Sequence, residues 1–197
     1  MSKGESGGIA RPRIYIRVPP DRLGAVIGAE GAVKRYVMEK TGVNMTIDSE
    51  NSMVILESDT AAPINLMKAG EVVKAIAYGF PPEKAYRLLD EDQILVIVDL
   101  KQIVGDSPNH LTRVKARIIG ERGRARRTLE EMTGTYIHVG DYYVAIIGDY
   151  ERAMLAKKAV EMLAEGRMHG TVYRHLDRML REVRRRESLR LWLDEEE

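Results

Sequence analysis

Gly120 and Gly123 enclose Glu121 and Arg122, with Arg117 shortly before them and Arg124, Arg126 and Arg127 directly after. Glycine is also the ordinary residue of tight turns, so a Gly-x-x-G alone is a weak signal. Its setting, between the apolar pair Ile118 and Ile119 and a run rich in arginine, gives it a chemical meaning. A bend without Cβ atoms lets a nucleic-acid backbone approach, while helix-start N–H groups and nearby cations attract its phosphates. That is the chemistry of binding. Hydrolysing a phosphodiester calls for clustered carboxylates with metal ions, or for a positioned general base. Here the acids are interspersed along helices, and the dense cluster is the tail Asp194 to Glu197. Neither Gly-x-x-G is completed to Gly-x-x-x-x-Gly-Lys-Ser/Thr, which argues against a nucleotide-hydrolysing loop. His110, His138, His169 and His175 form no closely spaced pair, and the chain has no cysteine, which excludes thiol catalysis, disulfides and cysteine-ligated zinc. The expectation is no enzyme, no metal and no cofactor.

The elements that must position this loop appear twice. "VIGAEGAVKRYVMEKTGVNMTID" (Val26 to Asp48) lies over "IIGERGRARRTLEEMTGTYIHVG" (Ile118 to Gly140). Ile27/Ile119, Gly28/Gly120, Gly31/Gly123, Arg35/Arg127, Glu39/Glu131, Thr41/Thr133 and Gly42/Gly134 are identical between the copies. Both glycine pairs and the periodic apolar positions survive together, which marks a duplicated unit.

Each copy gives the same order of signals. Alternating Ile14, Ile16 and Val18, and the run Ile94 to Val98, read as strands. A short helix, "DRLGAVI" or "HLTRVKARII", leads into the Gly-x-x-G. A second helix shows apolar spacing at Ala125, Thr128, Leu129 and Met132, matched by Val33, Tyr36 and Val37, and stops at Thr-Gly. Two strands and a long helix close each unit, giving β-α-α-β-β-α twice. The fold class expected is α+β, and the segments are a flexible tail at 1–11, a first domain at 12–80, a linker at 81–91, a second domain at 92–170, and a basic helix with an acidic tail at 171–197. Leu176, Met179, Leu180 and Val183 give that last helix an apolar face. Its arginines are interleaved with Asp177, Glu182 and Glu187, and read as a solvated surface.

Composition sets outer limits. The chain has 197 residues, 44% of them hydrophobic, enough for one large or two small domains. Its longest aliphatic run, "ILVIV", is far short of the ~20 apolar residues that span a bilayer. The opening "MSKGESGG" is not a secretory signal, so a cytoplasmic location away from membranes is expected. Charged residues reach 31% while glutamine occurs only at Gln93 and Gln102, a bias of proteins from hot environments.

"VIGxxG…TG" within β-α-α-β-β-α order resembles the type I KH (K homology) domain, a single-stranded nucleic-acid binder with a three-stranded antiparallel sheet packed on three helices. Both copies resemble it, over about residues 12–170. The stretch "DLKQIVGDSPNHLTRVKARIIGERGRARRTLEEMTGTYI" and the trailing "GRMHGTVYRHL" are similar to archaeal small-subunit ribosome-assembly proteins. Their eukaryotic relatives are the partner of Nob, after the endonuclease that matures the 3′ end of small-subunit rRNA. The resemblance implies an RNA-binding, non-catalytic factor acting at that 3′ end. It also implies a Nob-type PIN-domain endonuclease and the alpha subunit of translation initiation factor two as partners. The alternative kept beside it is a general KH RNA-binding subunit, of exosome type or a translational regulator.

KH loops clamp about four nucleotides, with the bases facing a shallow apolar groove. In the second copy Ile118, Ile119, Leu129, Ile137 and Val139 are expected to line it; for Leu129 and Ile137 burial in the core is an equal alternative. The first-copy counterparts are Val26, Ile27, Val37, Met45 and Ile47. Charge separates the copies. Over 110–140, Arg113, Lys115, Arg117, Arg122, Arg124, Arg126 and Arg127 outnumber Glu121, Glu130 and Glu131, whereas over 18–48 the acids Asp21, Glu30, Glu39 and Asp48 match Arg22, Lys34, Arg35 and Lys40. Phosphate attraction supplies most sequence-independent affinity. The primary RNA site is therefore expected at Arg117 to Gly123 with Arg124, Arg126, Arg127, Ile137 and Val139. Val26, Ile27, Gly28, Ala29, Glu30, Gly31, Lys34 and Arg35 form an auxiliary RNA site or a protein-docking surface.

Overall fold

A computed structural model describes residues 12–58 and 62–194, with side chains through residue 189. The expected tail at 1–11 lies outside the described residues, as do the side chains of the acidic end. The chain divides between Ala77 and Tyr78 into two units.

The first unit runs β1 (Arg13–Arg17), α1 (Pro20–Ile27), a 3-10 turn (Ala29–Gly31), α2 (Ala32–Thr41), β2 (Asn44–Asp48), β3 (Met53–Glu57) and α3 (Pro63–Ala77). Its antiparallel sheet has the order β1-β3-β2, with Ile16 and Ile47 both opposite Val54. Alternation along β1 and β3 buries Ile16, Val54 and Leu56 on the face beneath the helices, where Val26, Val33 and Val37 are also buried. Pro20 begins α1 at a position where a missing N–H costs nothing, and Gly42 ends α2 in the left-handed conformation at φ 68°.

The second unit repeats that core and adds to it. Its elements are α4 (Pro82–Ala85), a 3-10 turn (Tyr86–Leu89), β4 (Gln93–Asp99), α5 (Leu100–Val104), α6 (Pro108–Ile119), a 3-10 turn (Glu121–Gly123), α7 (Arg124–Thr133), β5 (Tyr136–Val139), β6 (Tyr143–Asp149), α8 (Tyr150–Ala164) and α9 (His169–Asp194). The sheet order is β4-β6-β5, again antiparallel. The fold is α+β, two three-stranded antiparallel sheets with helices and a C-terminal helix. The short helix α5 was not foreseen. Asp99 caps it by accepting from the Lys101 N–H at 2.9 Å.

The segment expected as a linker, 81–91, is part of the second unit. Ala85 and Leu88 are fully buried, and the turn at Tyr86–Leu89 touches β4 and β6. Lys84 and Arg87 lie over the Tyr136 ring at 4.6 and 5.3 Å, and Phe80 tilts against His138 at 5.8 Å. Tyr136 and His138 alternate along β5 with the core residue Ile137, so the segment covers the sheet face turned away from the helices. Its apolar residues gain burial there that an extended linker would forgo.

Helix α9 packs back on its own unit. Val172, Leu176 and Leu180 join the core of Ile118, Leu129 and Ile146, each such burial being worth about 1.5–3 kcal/mol. Arg186 meets Glu151 at 3.5 Å and Glu187 meets Arg152 at 3.3 Å, so α9 runs antiparallel along α8 to the start of that helix.

Candidate nucleic-acid interface

The two Gly-x-x-G loops have nearly the same backbone. Gly28, Glu30 and Gly31 sit at φ 74°, 50° and 78°; Gly120, Arg122 and Gly123 sit at 71°, 51° and 77°. Every one of these angles lies in the left-handed region that favours glycine. The Gly123 N–H donates to the Gly120 carbonyl at 3.1 Å and closes the turn, which leads directly into α7. A phosphate beside it meets the positive end of the α7 dipole.

The two glycines do different work. A Cβ on Gly120 would stand 2.6 Å from the Ala125 Cβ and 2.7 Å from its nitrogen, and one on Gly28 would stand 2.7 Å from the Val33 nitrogen. The first glycine therefore lets the two helices turn back on each other, a packing role beside the ligand access expected of it. The second glycine is open: nothing lies within 4 Å of a Cβ on Gly123. In the first unit the Arg35 guanidinium stands 3.5 Å from the same place on Gly31.

The arginines also separate into roles. Arg117, expected to bind RNA, instead donates from Nε to the Leu163 carbonyl at 3.2 Å and from Nη2 to the Arg167 carbonyl at 2.7 Å. It adds a charged donor to the Leu163 carbonyl, which also accepts the Gly166 N–H at 3.1 Å, and bonds the Arg167 carbonyl in the turn between α8 and α9. Arg127 donates from Nη2 to the Arg122 carbonyl at 3.0 Å, and its counterpart Arg35 donates from Nη1 to the Glu30 carbonyl at 2.6 Å. Arg126 pairs with Glu130 at 3.7 Å, and its Nε is buried without a hydrogen-bond partner among the described residues. Arg122 and Arg124 are exposed at the loop and make no ion pair among the described residues, so they are the cations it offers. Lys34 is half-buried, while Ala29 and Glu30 are exposed.

The apolar set divides likewise. Ile118, Leu129 and Ile137 are core, as are Val26, Val37 and Met45 in the first unit. For Leu129 and Ile137 this is the core alternative; for Ile118, Val26, Val37 and Met45 it corrects the expected groove lining. Helix periodicity turns Ile118, Leu129, Val26 and Val37 toward the sheet, and strand alternation turns Ile137 and Met45 toward the helices. Ile119 is 37% exposed beside the loop, and Val139, Ile27 and Ile47 are half-buried. Glu130, read from sequence only as an acid, accepts the Ile137 N–H at 2.8 Å on the outer edge of β5. Val139, two residues on, has the same orientation, so its N–H and carbonyl face outward on that edge. His169 was also missed: its Nε2 lies 2.8 Å from the Arg117 carbonyl, one helical turn before Gly120, and places the start of α9 beside the loop. No sequence signal marks that pair.

Comparison with known proteins agrees with this architecture. Residues 13–74 match the KH domain model, and residues 94–181 match the model described as a eukaryotic type KH-domain, KH-domain type I. A KH domain-containing protein of Methanocaldococcus jannaschii is 36% identical over 171 residues, 86% of this chain and 75% of that protein. RNA-binding protein pno1 of Drosophila pseudoobscura pseudoobscura is 30% identical over 167 residues, 82% of this chain and 69% of that protein. This chain belongs to the PNO1 family of KH-domain proteins. It spans 60% of a family member from Saccharomyces cerevisiae, the Pre-rRNA-processing protein PNO1. The Dim2p chain in a crystal structure of the a/eIF2alpha–Dim2p–rRNA complex from Pyrococcus horikoshii superposes with a TM-score of 0.82 at 40% identity, covering 89% of this chain and 97% of that one. The second family match reaches residue 181, so the first half of α9 falls within the PNO1 module.

Proposed function

We propose that this PNO1-family protein binds single-stranded RNA through its second KH unit and serves maturation of the small-subunit rRNA 3′ end as a binding factor, not a catalyst. The observation that carries the reading is the Gly120–Gly123 loop: its second glycine is open, α7 starts directly behind it, and Arg122 and Arg124 stand unpaired beside it. Two or more phosphates can be drawn to the dipole and the two guanidinium groups, while Ile119 gives the neighbouring base an apolar surface and the Val139 edge offers it hydrogen bonds. Pre-rRNA processing in the yeast relative's name, and rRNA in the Pyrococcus complex, support rRNA as the target.

The first unit presents Glu30 where the second presents Arg122, and Arg35 stands beside its second glycine. It is the weaker RNA site or a docking surface for protein. The alpha subunit of initiation factor two, present in the Pyrococcus complex, and a Nob-type PIN-domain endonuclease are the partners proposed. The location proposed is the cytoplasm; among the described residues no helix is long and apolar enough to cross a membrane. Crosslinking of bound RNA in cells, followed by sequencing, tests the target. One dominant footprint at the rRNA 3′ end is expected, and sites scattered over many RNAs would favour the general RNA-binding subunit instead.

A further inference from the structure

A second cationic surface runs along α9. Arg174, Arg178, Arg181 and Arg185 recur at i, i+4, i+7 and i+11, which at ~100° per residue places them within about 60° of one another, along ~16 Å of helix. All four are exposed, on the side away from the buried Val172, Leu176, Leu180 and Val183. Of the acids that interleave with them in the sequence, only Asp177 pairs with a ridge arginine, and Arg174, Arg178 and Arg185 make no ion pair among the described residues. Glu187 is turned to Arg152 at 3.3 Å, Glu182 flanks the ridge, and Asp177 pairs with Arg181 at 2.7 Å. Arg174 reaches the Gly170 carbonyl at 3.2 Å and Arg178 reaches His175 Nδ1 at 3.3 Å, local contacts that fix the side chains at the surface.

The ridge begins next to the loop. Arg117 binds the Arg167 carbonyl and His169 binds the Arg117 carbonyl, one turn, ~5 Å, from Gly120. The Tyr173 hydroxyl lies near Thr128 and Arg124. Arg167 and Met168, both exposed, lie in the turn that leads into α9. We propose that the α9 ridge of Arg174, Arg178, Arg181 and Arg185 is a second RNA-binding surface, taking the sugar-phosphate backbone of the same strand where it leaves the Gly120–Gly123 loop. The proposal rests on the reading of that loop as an RNA clamp. Two observations favour RNA over an acidic protein: continuity with the loop cations, and the exclusive use of arginine, since α9 contains no lysine. The guanidinium group matches phosphate bidentately where an ammonium acts as a point charge.

The test compares two randomised single-stranded RNAs, a 5-mer and a 20-mer, on the full chain. Replacing Arg174, Arg178, Arg181 and Arg185 together with glutamine is expected to leave the 5-mer unchanged. It should weaken the 20-mer by about 10-fold or more and make its salt slope shallower by about 3, at ~0.7 per cation lost. The same four positions changed to lysine should keep most of the slope, and a circular-dichroism melt confirms that both variants are folded. An unchanged 20-mer slope in the folded glutamine variant overturns the proposal and leaves the ridge to a protein or to solvent. Changing Glu121 and Arg122 to aspartate tests the loop separately, through the 5-mer. If that binding survives, the loop reading fails, and if wild type binds neither RNA, both fail.

Discussion

Arg127 and Arg122 are joined through the loop they share: the Arg127 guanidinium donates from Nη2 to the Arg122 carbonyl at 3.0 Å. Arg35 and Glu30 repeat the bond in the first unit at 2.6 Å. The residue held has φ near 50° in both units, a conformation a non-glycine side chain seldom takes. The arginine common to both repeats thus braces the loop, while its sequence neighbours differ in what they offer a ligand.

Removing that brace should loosen the turn without unfolding the domain. For Arg127→Leu we expect a loss of about 1 kcal/mol in local opening free energy. Amide exchange at Glu121 to Gly123 should then be about 5-fold faster, with a several-fold weaker RNA complex. Unaltered exchange beside weakened binding would make Arg127 a direct phosphate contact.

The loop sequence itself is testable at little structural cost. Aspartate tolerates the left-handed conformation of Arg122, and both inner positions are exposed, so Glu121→Asp with Arg122→Asp should leave Tm unchanged. RNA affinity measured by fluorescence anisotropy should fall about 10-fold or more, since a cation beside phosphate becomes an anion. Ala29→Asp with Glu30→Asp should matter much less.

The two glycines should fail differently. Gly120→Ala drives a methyl group against Ala125 and is expected to lower Tm sharply. Gly123→Ala meets open space and carries only the left-handed penalty of roughly 1–2 kcal/mol. Equal thermal shifts for the two variants would contradict the packing role of Gly120.

Arg117 is expected to matter for stability. Arg117→Ala leaves the Leu163 and Arg167 carbonyls without their charged donor, a loss of about 2 kcal/mol. Thermal unfolding should shift down by about 10 °C for a domain of this size. Normal stability with lost RNA binding would return Arg117 to the interface.

Glu71 gives a pH dependence. Burial raises its carboxyl above the ordinary 4.5, with Lys68 and Lys74 opposing. A raised folded pKa means that the group's favourable contribution is complete below 4.5 and is lost as pH rises through the folded value. Glu71→Gln should therefore be more stable than wild type at pH 7, and the difference should vanish below about pH 4. A constant difference across that range would exclude titration as the cause.

The duplication, the β-α-α-β-β-α order and both glycine loops were legible in the sequence because each rests on local signals. Residues like Gly28 and Gly120 mark a backbone shape, and alternation like that of Ile14 and Ile16 marks a strand face, whatever the rest of the chain does. Tertiary structure alone decided which arginines are free, because Arg117 is claimed by carbonyls at Leu163 and Arg167, far along the chain. It also decided that Leu129 and Ile137 are core, and that 81–91 covers a sheet face. It set Arg174, Arg178, Arg181 and Arg185 along one exposed side of α9 and turned Glu187 away toward Arg152 on another helix, while Asp177 stays paired with Arg181. Residue type and spacing determine what a segment can form; contacts between distant segments determine which of its charged groups remain for a ligand.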